Sequence, residues 1–102
     1  SDVPMGIVLG RSLGEQYEIL TIAVNPEWRG RGLAKQLLET LVARAKTTGA
    51  KKIFLEVQDD NKAARKFYEG AGFTETSRRK DYYKQPDGRF KDAVVMSREL
   101  AE

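Results

Sequence analysis

Cysteine and histidine are both absent from these 102 residues. Without cysteine there is no disulfide, no thiol nucleophile and no thiolate metal site. Without histidine the Ser-His and Cys-His hydrolase mechanisms are excluded, as is a histidine-based metal site, so no metal is expected. Acid–base chemistry is left to Glu, Asp, Tyr, Lys or water. No apolar run approaches the ~18 residues needed to cross a bilayer, and no charged-then-apolar leader opens the chain. The expectation is a protein without a membrane partner, placed in the cytoplasm. A strong excess of one charge is lacking too: 18 Lys+Arg against 15 Asp+Glu leave +3, with the signs interspersed. Basic clusters stand at Arg29–Arg31 and Arg78–Lys80. Neither carries the aromatic–basic pattern of an RNA-binding module, and no nucleic-acid partner is expected. The length allows one domain, residues 1–102.

What is present alternates between strand and helix patterns. Gly6–Leu9 reads as a short strand, Gly10–Glu15 as a hairpin loop, and Tyr17–Val24 as a second, antiparallel strand. Pro26 ends that strand, because proline cannot continue a central ladder. From Leu33 a helix carries Leu33, Leu37, Leu38, Leu41, Val42 and Ala45 on one stripe, and Gly49 suits the position past its end. Lys52–Gln58 alternates as a strand, with Ile53, Leu55 and Val57 on one face and Glu56 on the other. A right-handed crossover sets it parallel to Tyr17–Val24. Asp59, Asp60 and Asn61 are cap-type residues before a second helix over about 62–69, stopped by Gly70 and Gly72. Phe73–Tyr83 reads as a long strand, Gln85–Gly88 as a turn and Ala93–Met96 as the closing strand. The order is ββαβαββ, an α/β (α+β) fold around a mixed sheet.

The most specific local feature is Arg29-Gly30-Arg31-Gly32-Leu33-Ala34, at the junction of the second strand and the first helix. Two glycines in a basic turn can present several backbone N–H groups to one anion at a helix N-terminus, where the helix dipole also favours negative charge. Glycine permits close approach and positive φ, and arginine adds charge-assisted contacts to phosphate. This reads as a pyrophosphate cradle. The alternative is an ordinary strand-to-helix turn with solvated arginines.

Three blocks in order carry a family resemblance. The first is Arg29–Ala34, matching a signature of Arg or Gln, two residues, Gly, one residue, then Gly or Ala. The second is Leu55–Asn61 with Ala64, Phe67-Tyr68 and Gly72-Phe73; the third is Tyr82-Tyr83, Asp87-Gly88, Lys91-Asp92-Ala93 and Met96. Together they resemble the GNAT N-acetyltransferase superfamily, over nearly the whole chain. The third block is most similar to members that acetylate protein N-terminal α-amino groups, of the ribosomal-protein alanine acetyltransferase type. Arg89-Phe90-Lys91-Asp92 departs from the Glu-Asp that usually precedes the final strand.

The resemblance implies a truncated GNAT fold with a splayed parallel strand pair, acetyl-coenzyme A as cofactor, and transfer of acetyl to a primary amine. It implies that backbone amides of Arg29, Gly30, Arg31, Gly32, Leu33 and Ala34 hold the pyrophosphate. Ile22, Ala23 and Val24 would pair through their backbone with the pantetheine arm, with the Val24 N–H polarising the acetyl carbonyl. Tyr68 becomes the general acid for the leaving thiolate; a phenol of pKa ~10 is protonated at neutral pH and can donate. Its alternative role is an aromatic of the helix–sheet interface. Glu56 becomes the base, directly or through water, against the alternative of a strand carboxylate paired with a nearby cation. Glu18 is a reserve base on the strand leading into the cleft. Asn61 would contact the cofactor, or serve only as a helix cap. Tyr82 and Tyr83 would wall the acceptor site, or pack as sheet surface. Lys35 and Arg65 are further phosphate candidates.

The family fold normally begins with a strand, two helices and another strand ahead of this hairpin, and Ser1–Met5 is unlike a native start. Three expectations follow: a truncated enzyme, a minimal form completed by a second copy at an open sheet edge, or a non-catalytic acetyl-coenzyme A binding module. The edge argument favours a homodimer.

Overall fold

The computed structural model describes residues 5–100; residues 1–4, which carry most of the unusual opening, lie outside them. Strands β1 (Gly6–Leu13) and β2 (Gln16–Val24) precede helix α1 (Leu33–Thr47). Strand β3 (Lys52–Gln58), helix α2 (Lys62–Gly70) and strands β4 (Thr74–Lys84) and β5 (Phe90–Glu99) follow. The five-stranded sheet runs β1-β2-β3-β5-β4, so the expected ββαβαββ order holds. Two compact units divide the chain: residues 1–53 with 99–102, and residues 54–98.

In the first unit, the α1 stripe buries Leu38, Leu41, Val42 and Ala45, while Leu33 and Leu37 at its N-terminal end are half-buried. Each buried branched side chain of this kind contributes roughly 1.5–3 kcal/mol. Gly49, at φ 83°, follows the helix as expected. The hairpin differs from the sequence reading. The predicted loop Gly10–Glu15 is mostly strand: β1 continues to Leu13, opposite Gln16, and only Gly14 and Glu15 turn. Arg11 and Ser12 look loop-like in composition, yet Arg11 lies opposite Glu18, and its guanidinium donates to that carboxylate at 2.7 Å. A register shift after Leu9 accommodates the change. There Gly10 leaves room for the Tyr17 ring: a Cβ on Gly10 would stand 2.4 Å from Tyr17 Cε1. The Tyr17 side chain is buried as a result.

In the second unit, Leu55, Tyr68, Phe73, Ala93, Val94 and Met96 form the core. Buried Ser97 is satisfied by the Thr76 hydroxyl at 2.9 Å. Strand β4 is exposed along nearly its whole length, which is why its polar residues did not read as a clean alternation. Strand β5 starts three residues earlier and ends three later than the apolar run Ala93–Met96. The Gln85–Gly88 turn closes with Gly88 N–H donating to the Gln85 carbonyl at 3.0 Å. Among the described residues, no helix is long and apolar enough to cross a membrane.

Candidate active site

The glycine turn begins where β2 ends. Asn25 caps a single 3-10 turn, Pro26–Trp28, by accepting from the Glu27 N–H at 3.0 Å; this turn was not read from the sequence. Gly30 and Gly32 then adopt φ 77° and 74°, a left-handed conformation that only glycine takes without strain. No atom lies within 4 Å of where a Cβ on either would stand. Gly32 is the N-cap of α1, no side chain caps it, and the first turn carries no acidic residue. The first amides of α1 are therefore left for an outside acceptor, with the positive end of the helix dipole behind them. Arg29 and Arg31 are exposed, and the Arg31 guanidinium rests 4.8 Å from the Trp28 ring centroid. The turn thus fits a diphosphate. Ile22, Ala23 and Val24 close β2 in register with Val8, Ile7 and Gly6. Glu18, the reserve base, is held by Arg11 in an ion pair at 2.7 Å.

In the second unit, Glu56 lies on β3 with its carboxylate 3.5 Å from Arg79 Nε of β4, and only 22% of its side chain is exposed. The cation expected under the alternative reading is therefore Arg79. The same guanidinium stands 5.2 Å from the Tyr82 ring centroid. Tyr82 and Tyr83 pack edge to face, 5.1 Å apart. Burial pushes the Tyr83 phenol above its usual range, and the Glu56 charge adds to the effect. Glu56, Tyr82 and Tyr83 are thus brought together, with Arg79 among them.

Tyr68 lies in the face of α2 that packs inward. Its ring meets Phe67 at 5.1 Å and Phe73 at 5.5 Å, both edge to face. Burial raises its pKa above the ordinary phenol value, which keeps it a proton donor at neutral pH. Asn61 caps α2, accepting from the Ala64 N–H at 3.2 Å. Arg65 is committed to Asp59 at 2.8 Å and Glu75 at 3.1 Å.

Sequence reasoning missed the ionic network beside this site. In the sequence Arg78 and Arg79 stand out only as part of a basic cluster. In the structure Arg78 reaches Asp59 and Asp92, each at 3.0 Å, with Glu75 at 3.6 Å. Hydrogen bonding to Asp59 and Asp92 pushes the Arg78 pKa further up. Lys91 pairs with Asp60 across the same end of the sheet. Counting back from the Gln85–Gly88 turn in a regular register would set the basic run opposite Val94–Met96; the slip between Arg79 and Tyr83 brings Arg78 and Arg79 opposite Val94 and Ala93 instead, and no local signal marks Arg79 as the partner of Glu56. Among the described residues, no cluster of acidic side chains is placed to hold a metal ion.

Known proteins resemble this chain in sequence and in fold. The model of the acetyltransferase (GNAT) family matches residues 1–73. The ribosomal protein bS18 alanine N-acetyltransferase of Haemophilus ducreyi is 34% identical over 87 residues, covering 85% of this chain and 60% of its own length. The crystal structure of the corresponding Escherichia coli enzyme superposes with a TM-score of 0.84 at 32% identity, over 96% of this chain and 63% of that one. A GNAT family acetyltransferase from Elizabethkingia anophelis, solved with acetyl-CoA bound, shares the fold with a TM-score of 0.84 at 24% identity, over 94% of this chain and 69% of that one. The chain spans about 60% of the length of the Haemophilus relative. On the match over residues 1–73, the chain belongs to the GNAT acetyltransferase family.

Proposed function

We propose that the chain moves an acetyl group from acetyl-coenzyme A to a primary amine in the cytoplasm, with a protein N-terminal α-amino group as acceptor. The observation that carries this reading is the open, uncapped glycine turn at the start of α1. Relatives named for acetylating the alanine terminus of ribosomal protein bS18 support the acceptor class.

Backbone amides from Arg29 to Ala34 would hold the pyrophosphate, with Arg29 and Arg31 screening its charge. The backbone of Ile22–Val24 would line the pantetheine arm, and Val24 N–H would face the acyl oxygen. Bound acetyl-coenzyme A supplies an activated thioester. Glu56 takes the proton that the acceptor ammonium must lose before its nitrogen can attack. The Glu56 charge acts on the Tyr83 phenol, Tyr82 packs against Tyr83, and the pair would offer aromatic faces to a cationic terminus. Tyr68 keeps its proton on the phenol oxygen until the thiolate leaves, and donates it there.

A second reading is a cofactor-binding module that needs another chain to complete its acceptor site. The edge position of β1, which exposes Ile7 and Leu9, favours a second copy as the partner. Replacing Tyr68 with Phe separates the two readings. The ring contacts with Phe67 and Phe73 survive the substitution, so fold and coenzyme A affinity should be retained. An enzyme loses roughly 10²–10⁴-fold in kcat. A variant that transfers acetyl as fast as wild type removes Tyr68 from the mechanism.

A further inference from the structure

Among the described residues, one non-glycine residue adopts a positive φ: Asp81 on β4, at 52°. A side-chained residue persists in that region only where its surroundings hold it there. The holder is Asp92 on β5. Its Oδ1 accepts the Asp81 N–H at 3.0 Å, and its Oδ2 accepts from Arg78 Nη1 at 3.0 Å. Arg78 is itself fixed by Asp59, which accepts from Nη2 at 3.0 Å. Around this point the two strands fall out of step: β4 advances from Arg79 to Tyr83 while β5 moves only from Ala93 to Lys91.

The distortion has a consequence for the aromatic pair. Neighbouring residues on a regular strand point to opposite faces. Tyr82 and Tyr83 are neighbours, yet their rings meet edge to face at 5.1 Å with 79° between planes. A bulge re-aims side chains in this way. It also leaves Arg79 within reach of both the Tyr82 ring and the Glu56 carboxylate.

We infer that Asp92 is a positioning residue for the acceptor: its carboxylate pins the Asp81 kink that sets Tyr82 beside Tyr83 at the Glu56 side of the sheet. The inference rests on the reading that Glu56 and the tyrosine pair receive the amine. A merely structural Asp92 would change cofactor use and acceptor use together. A positioning Asp92 changes acceptor use while cofactor use holds, whatever stability its ion pair with Arg78 contributes.

The test uses the full chain with Asp92→Ala, alone and combined with Asp81→Gly, since glycine adopts the kink without a pin. The first readout is the nuclear Overhauser contact between the Tyr82 and Tyr83 rings in the ligand-free chain. It should vanish in Asp92→Ala and return in the double variant. The second is steady-state kinetics with an alanine-initial peptide. The peptide KM should rise about tenfold, within the hundredfold that a misplacement of ~1 Å can cost, while the acetyl-coenzyme A KM stays within about twofold; glycine at position 81 should restore the peptide KM. Should Asp92→Ala not fold, Asp92→Asn replaces it, keeping an oxygen for the Asp81 N–H but losing the charge opposite Arg78, with a smaller KM rise expected. Ring contacts that persist without Asp92, failure of glycine to restore them, or equal changes in both KM values would overturn the inference. If the ring contact responds as expected but the wild-type chain acetylates nothing, the pin stands and the acetyltransferase reading falls.

Discussion

Replacing Gly32 with Ala should weaken coenzyme A binding and the fold through two separable effects. Gly32 sits at φ 74°, ψ 10° as the N-cap of α1. Nothing lies within 4 Å of a Cβ built there, so the substitution meets no steric clash and its stability cost is torsional. Left-handed backbone costs an L side chain roughly 1–2 kcal/mol. For a chain of this size, 1 kcal/mol lowers Tm by roughly 4–8 °C. Binding suffers differently, because the added methyl occupies the open side of the turn where the anion would approach. A hydrogen bond to a charged group contributes roughly 1.5–3 kcal/mol. Losing one such bond weakens binding roughly ten- to 150-fold, since about 1.4 kcal/mol is a factor of ten. Gly32→Asn serves as the control: asparagine tolerates the left-handed region better than alanine does, so it should recover stability without recovering affinity. Calorimetric titration with coenzyme A and thermal unfolding by circular dichroism measure the two effects separately. Variants that lose Tm but bind coenzyme A within about twofold of wild type would refute the cradle, because the expected loss is tenfold or more.

Two further predictions follow from the packing and the ionic network. Gly10→Ala drives a methyl toward the buried Tyr17 ring, 2.4 Å from Cε1; overpacking of this kind costs about 1–3 kcal/mol, and an unchanged urea midpoint would count against the hairpin register described. The Asp59 carboxyl is held below its usual range first by hydrogen bonding to Arg78, and that of Asp92 by the Asp81 N–H and then Arg78. Folded-state values below the unfolded ones mean that these groups contribute stability above about pH 3.9, and that the contribution is lost as pH falls through the folded values. Urea unfolding followed between about pH 2 and 5 should therefore show an acid limb that Arg78→Gln flattens, and an identical limb in the variant would contradict the assignment.

The parts of this structure that sequence could reveal are those set by short-range pattern. The α1 stripe, the alternation of Lys52–Gln58, the cap at Asn61 and the glycine stop after α1 each depend on residues within a turn or two. The continuation of β1 through Arg11 and Ser12 was hidden because its stabilising partner, Glu18, lies across a turn, and because Gly10 looked like a loop glycine. In fact Gly10 is where the Tyr17 ring passes. The site shows the same division. The glycine turn is local, and its place at the start of α1 was legible. The neighbours of Glu56 depend on how far the β4–β5 register slips at Asp81, and no composition or periodicity encodes that slip. Tyr68 illustrates a different limit: the burial that makes it look like an ordinary core aromatic is also what raises its phenol pKa further.

The most direct test of the central claim is transfer of labelled acetyl from acetyl-coenzyme A to an alanine-initial peptide by the wild-type chain, with an Nα-blocked peptide as control and coenzyme A binding measured on the same sample. The account predicts chain-dependent labelling of the free peptide and none of the blocked one. Saturable coenzyme A binding with no labelling of either peptide would contradict it, and would leave the chain a cofactor-binding module.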